Sequence, residues 1–168
     1  MRIASVARAL PTYRYSQEEI SKKLCEVWSD RPSVVSRLPG LHANTRVNSR
    51  YLALPLEEHG TRRTFGESND HWIRVAQALG EEALDKALTK VGLGPQDIDA
   101  IFAVSVTGIA SPSLDARLAN RMGLRSDVKR VPIFGLGCVA GAAGIARAAD
   151  YVKAYPDQVA VLVSVELS

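Results

Sequence analysis

An α/β fold built in layers around a mostly parallel sheet is predicted by three features of the sequence. Apolar runs of strand length alternate with helical periodicities through the second half of the chain. Those runs are continuously apolar, not alternating. Each is separated from the next by a helix-length segment instead of a tight hairpin turn. The 168 residues, 46% of them hydrophobic, are enough for one compact domain or most of one.

In chain order, residues 2–9 read as a short strand that stops at Pro11. Ser16 followed three residues later by Glu19 is a capping-box pattern, and Ile20, Leu24, Val27 and Trp28 continue it at helical spacing, which predicts a helix over 16–29. Residues 30–65 are punctuated by Pro32, Pro39, Gly40, Pro55 and Gly60, so a short helix, a short strand near 51–54 and much surface loop are expected there. Over 67–91 the residues Ile73, Ala76, Leu79, Ala83, Leu84, Ala87, Leu88 and Val91 recur in steps of three and four, marking a long amphipathic helix closed by Gly92. Pro95-Gln96-Asp97 turns into a strand over 98–106, and 113–122 is a helix closed by Gly123. Residues 131–134 read as a short buried strand, a helix runs from beyond Cys138 to about 155, and 159–165 is a strand apolar enough to be buried on both faces. The chain ends at Ser168 directly after that strand, which predicts a fragment of a larger polypeptide.

Charge excludes one large class of function. The 21 Lys and Arg exceed the 18 Asp and Glu by only three, and no like-charge run is longer than Arg62-Arg63, so a general nucleic-acid binder is not expected. A pI near 9.0 fits local capture of an anionic ligand better. Two cysteines, Cys25 and Cys138, make no disulfide framework and have no metal-ligand spacing, so a reduced, cytoplasmic setting is the default. The N-terminus lacks a signal-peptide stretch, and no window approaches the roughly 20 apolar residues of a membrane span.

The chemistry concentrates at Gly135-Leu136-Gly137-Cys138-Val139-Ala140-Gly141, where a strand passes into a Gly- and Ala-rich helix. Unsatisfied amides at a helix start favour a thiolate over a thiol, and a thiolate there is a nucleophile toward thioesters. Two readings stay open from the turn alone: a reactive Cys138, or a small buried hydrophobe, which is how most free cysteines are used. The same residues satisfy the G-x-G-x-x-A dinucleotide fingerprint, with Glu166 at the end of the next strand as an acidic ribose ligand. Pro132 in a brief strand and a thiol at the crowded turn weigh against that alternative. A G-x-S-x-G elbow fits worse, because Leu136 and Ala140 occupy the glycine positions. Cys25 sits mid-helix and reads as core or inert surface, and His42, His59 and His71 read as surface or structural residues.

Six stretches together resemble the type III polyketide synthases, chalcone synthase-like enzymes of the thiolase superfamily, and among them the actinobacterial long-chain alkylpyrone synthases. They are residues 11–17, 47–57, 104–108, 112–117, 135–144 and 163–167, with Gly-Leu-Gly-Cys-Val-Ala-Gly the most specific. The resemblance implies a thiolase-like α/β/α fold of which residues 1–168 are the N-terminal half, the C-terminal half with the family's His and Asn being absent. It implies that Cys138 takes an acyl group from an acyl-CoA starter and that decarboxylative Claisen condensation with malonyl-CoA extends it, giving alkylpyrones or related polyketides. Coenzyme A thioesters are then substrates, and no cofactor is expected. Arg50, with Arg46 as companion, matches the coenzyme A entrance, where a guanidinium suits phosphate; a solvated surface arginine is the other reading. Val106, Thr107 and Gly137 match the substrate cavity, and Glu166 a buried acid behind it with a structural and not a catalytic role. Small residues at 107–111 match a loop that reaches the neighbouring subunit, implying a homodimer. Gly141, Ala142, Gly144 and Ala148 form a smooth face on which another helix could pack. At the chain end Ser168 stands where the family carries Cys before Ser. A ketoacyl synthase III-like condensing enzyme and an inactive association module remain the alternatives.

Overall fold

The computed structural model describes residues 2–167, so Ser168 lies outside the described residues. The chain divides into two compact units, one formed by residues 2–9 with Glu67–Leu167 and the other by Leu10–Gly66.

The larger unit is built on three parallel strands, β3 (Ala100–Ser105), β4 (Lys129–Phe134) and β5 (Ala160–Ser164), in the order β4-β3-β5, while β1 (Tyr13–Ser16) and β2 (Ser49–Leu52) belong to the other unit. Helix α4 (Phe65–Thr89) is the long helix expected over 67–91, and Gly92 just beyond it has φ of 68°. Helix α5 (Leu114–Met122) connects β3 to β4 and stops at Gly123, whose left-handed φ of 67° costs a residue without Cβ nothing. Helix α6 (Ala140–Ala154) connects β4 to β5.

Side-chain alternation along the central strand sorts the layers. Ile101 and Ala103 of β3, with Val163 of β5, join Trp72, Ala76, Leu84 and Leu88 of α4 and Leu114 and Leu118 of α5 in one core. The even-numbered residues face the opposite way. Phe102 meets Tyr151 of α6 edge-on at 6.1 Å between ring centroids, and a Cβ added at Gly144 of α6 would lie 2.7 Å from Leu162 and 3.1 Å from Val104. The result is helices, sheet, helix. Gly144, expected to admit another helix, instead seats α6 on the sheet.

Three strand expectations are corrected. Residues 2–9 form no strand, because no backbone ladder runs beside them among the described residues; Lys90 Nζ donates to the Val6 carbonyl at 2.8 Å. The strand expected to be short and buried over 131–134 is longer and largely exposed, with Val131 at 36% and Phe134 at 57%, because it forms a sheet edge. Pro132, which has no N–H to donate, fits an edge strand. Strand β5 is the opposite edge, and only its Val163 is buried; full burial belongs to the central β3 alone.

In the smaller unit β1 (Tyr13–Ser16) pairs antiparallel with β2 (Ser49–Leu52), so the expected strand near 51–54 begins two residues earlier. The capping box is formed: Glu19 N–H donates to Ser16 Oγ at 3.1 Å and Ser16 N–H to Glu19 Oε2 at 2.7 Å, starting α1 (Gln17–Val27). Two short helices follow where one was expected, α2 (Pro32–Val35) and α3 (Leu38–Asn44). Ile20, Leu52 and Leu56 are the core here, with Tyr15 and Leu24 packed on it.

Candidate active site

In parallel α/β sheets ligands bind beyond the carboxyl ends of the strands, where the connecting loops converge. The loops leaving β3, β4 and β5 carry Val106 and Thr107, then Gly137 and Cys138, and finally Glu166.

Cys138 is exposed, so the buried-hydrophobe reading of this residue does not hold. It sits in a 3-10 turn, Gly137–Val139, that runs directly into α6. Val139 at the helix N-cap offers no side-chain cap, which leaves the first-turn amides without a side-chain acceptor. Gly135 and Gly137 have φ of 87° and 58°, in the region that favours residues without Cβ. The two glycines shape the passage from strand to helix in which the cysteine is carried. Cys25, by contrast, is half-buried in α1, its Sγ 3.9 Å from the Val35 carbonyl oxygen.

The dinucleotide reading fails on topology. That motif needs the strands before and after its helix to be neighbours, whereas β3 lies between β4 and β5.

Glu166, expected as a buried acid, is exposed and binds backbone. Its carboxylate accepts from the amides of Val106 and Thr107 at 3.1 Å each and from Thr107 Oγ1 at 2.9 Å, while Leu167 N–H donates to Thr107 Oγ1 at 3.0 Å. It cinches the ends of β3 and β5 through one side chain. Glu166→Ala is expected to cost about 1 kcal/mol, since water can replace part of what is lost, and faster hydrogen exchange at the Val106 and Thr107 amides would register it.

Beside these loops is a cavity of about 70 Å³ lined by Trp72, Ser105, Gly108, Asp115, Pro132 and Phe134, among others. Asp115 is fully buried in the first turn of α5, with Arg130 Nη1 of β4 at 3.6 Å. Sequence reasoning missed this pair, because Asp115 looks like an ordinary polar residue at a helix start and its partner is 15 positions away.

Arg46 and Arg50 belong to the smaller unit. Both are exposed, and Arg50 lies in β2 with its Nε 2.9 Å from Gln17 Oε1. Arg46 follows α3 with φ of 54°, a left-handed conformation at a site where helices commonly place glycine. Arg46→Gly is expected to stabilise the protein by about 1 kcal/mol, read by chemical denaturation. His42, read as a surface or structural residue, lies 2.6 Å from Ser21 Oγ through its Nδ1, while His71 Nδ1 meets Arg74 Nη2 at 2.9 Å.

This architecture is the thiolase-like α/β/α fold, and solved type III polyketide synthases share it. The family model described as FAE1/Type III polyketide synthase-like protein matches residues 49–168, and the chain belongs to that family. It is 48% identical over 165 residues to a 1,3,6,8-tetrahydroxynaphthalene synthase of Streptomyces peucetius subsp. caesius, covering 98% of this chain and 44% of the relative. A putative chalcone synthase of Bacillus subtilis (strain 168) is 32% identical, with 98% and 47% covered. The crystal structure of 1,3,6,8-tetrahydroxynaphthalene synthase from Streptomyces coelicolor A3(2) superposes with a TM-score of 0.84 at 34% identity, over 96% of this chain and 47% of that one. The chain thus spans about half the length of the curated relatives it matches.

Proposed function

We propose that this chain is the nucleophile-bearing, N-terminal half of a type III polyketide synthase, an acyltransferase whose Cys138 carries the growing chain as a thioester. One observation carries the reading: an exposed cysteine between a glycine-shaped turn and a helix whose first amides lack a side-chain cap. In the proposed cycle the Cys138 thiolate attacks the carbonyl of an acyl-CoA and releases coenzyme A as thiolate. Malonyl-CoA then loses CO₂; the electron pair of the broken C–C bond becomes an enolate, which attacks the enzyme thioester and expels the Cys138 thiolate. Covalent capture divides a difficult acyl transfer into easier steps and holds the electrophile for the incoming enolate. The loops at Val106, Thr107 and Gly137 line the acyl cavity in this reading.

Arg50 and Arg46 are assigned to the phosphates of coenzyme A. Charge supports this: the segment Leu10–Gly66 holds nine basic and six acidic residues, so the whole surplus of three positive charges lies in the smaller unit. In this proposal the enzyme works as a homodimer in the cytoplasm. No helix among the described residues is long and apolar enough to cross a membrane.

Two product classes have support. The motif resemblance favours an alkylpyrone from a long-chain starter, and the name of the 48% identical relative favours a polyhydroxylated naphthalene. The latter has no alkyl tail, so it requires no long starter. Mass spectrometry of products formed by the full-length protein from malonyl-CoA, with and without a long-chain acyl-CoA, separates them. Intact-mass measurement tests the proposal itself: an acyl adduct that maps to Cys138 supports it, and no adduct with any coenzyme A thioester overturns it. Dependence on an acyl carrier protein instead of free malonyl-CoA would favour a ketoacyl synthase.

A further inference from the structure

Gln17 is a polar residue in an expensive place. It opens α1 with 8% of its surface exposed, and its side-chain Nε2 has no hydrogen-bond partner among the described residues. A donor sealed from water without an acceptor is a standing cost, which a methionine or leucine of similar volume would not carry. What the amide does in return is seen at its other atom. Gln17 Oε1 accepts from Arg50 Nε at 2.9 Å, and because arginine is only a donor the amide oxygen must be the atom that faces it.

The glutamine itself is tightly held. Its backbone N–H donates to the Asn48 carbonyl at 2.9 Å, and its carbonyl accepts from Ser21 Oγ at 2.6 Å. Ser21 has spent its one proton on that bond, so its 2.6 Å contact with His42 Nδ1 uses the imidazole proton and ties α1 to α3. Anchored through Nε, the Arg50 guanidinium has a set plane, and its Nη1 and Nη2 meet no acceptor among the described residues. Two parallel donors held this way form the fork that binds a phosphate through paired hydrogen bonds.

We infer that Gln17 is a positioning residue that aims Arg50 at a phosphate of the coenzyme A substrate. This rests on the assignment of Arg50 made above. The test uses the full-length enzyme with malonyl-CoA and with the N-acetylcysteamine thioester of malonate, which carries the same acyl group and no phosphate. Gln17→Met is expected to raise KM for malonyl-CoA about fivefold, leaving kcat and the truncated thioester unaffected. In an Arg50→Ala background the same substitution should add nothing. Gln17→Asn, which keeps the amide but falls a methylene short, should behave like Gln17→Met and serves if that variant does not fold. Equal losses on both thioesters would make Gln17 merely structural and overturn the inference. An unchanged KM in both Gln17 variants, with Arg50→Ala raising it, overturns the inference and leaves the Arg50 assignment standing. If Arg50→Ala itself treats the two thioesters alike, the assignment fails and the inference with it.

Discussion

Replacement of Cys138 by alanine is expected to reduce polyketide formation by the full-length protein on the order of 10⁴-fold or more, the scale of loss when a covalent nucleophile is removed from its machinery. The effect should fall on kcat, because the missing group is needed for the covalent step and not for holding coenzyme A. Cys138→Ser sharpens the result. A hydroxyl in the same place is scarcely ionised at neutral pH and is a poor leaving group, so it should be nearly as inactive, although its size is close to that of the thiol. Thermal unfolding of both variants should match the parent, since Cys138 is exposed and packs no core. Turnover retained by the alanine variant would sink the assignment of the nucleophile.

The second large effect is structural. Gly108 lies against the face of Trp72, and a Cβ built there would fall 2.0 Å from Trp72 Cδ2 and 2.3 Å from its Cγ. The indole cannot swing away cheaply: it is buried at 7% exposure, and its Nε1–H donates to Thr107 Oγ1 at 3.2 Å. Gly108→Ala should therefore cost about 3 kcal/mol, at the upper end of overpacking penalties. It should also disturb the turn that presents Thr107. Gly141→Ala is the control, because a Cβ there meets nothing within 4 Å and alanine is the better helix former. A chemical denaturation series should find the first variant strongly destabilised and the second at or above the parent.

How much of this was legible depended on the range of the interaction that decides it. The capping box at Ser16 and Glu19 and the glycine stops at Gly92 and Gly123 are local events, written within a few residues, and they formed as expected. The periodicity of α4 was legible for the same reason, since one face of a helix repeats every three or four positions. Which strand occupies the centre was not legible. Residues 131–134 and 159–165 are as apolar as β3, and only the order β4-β3-β5 makes them edges. For Glu166 the structural role was legible from the resemblance but its exposure was not, because a carboxylate that caps backbone amides 60 residues away has no local signature. Cys138 could be proposed from its glycine-rich setting alone, whereas the bond between Gln17 and Arg50, 33 positions apart, has no local signature.

The two glycines that bracket Leu136 also govern how this loop can be re-engineered. Because both occupy conformations closed to most side chains, saturation mutagenesis across the loop should return almost only glycine at 135 and 137 while position 136, exposed and with a negative φ, accepts wide variety. Cassettes exchanged with other members should be cut outside the pair, so that the whole bend travels as one block.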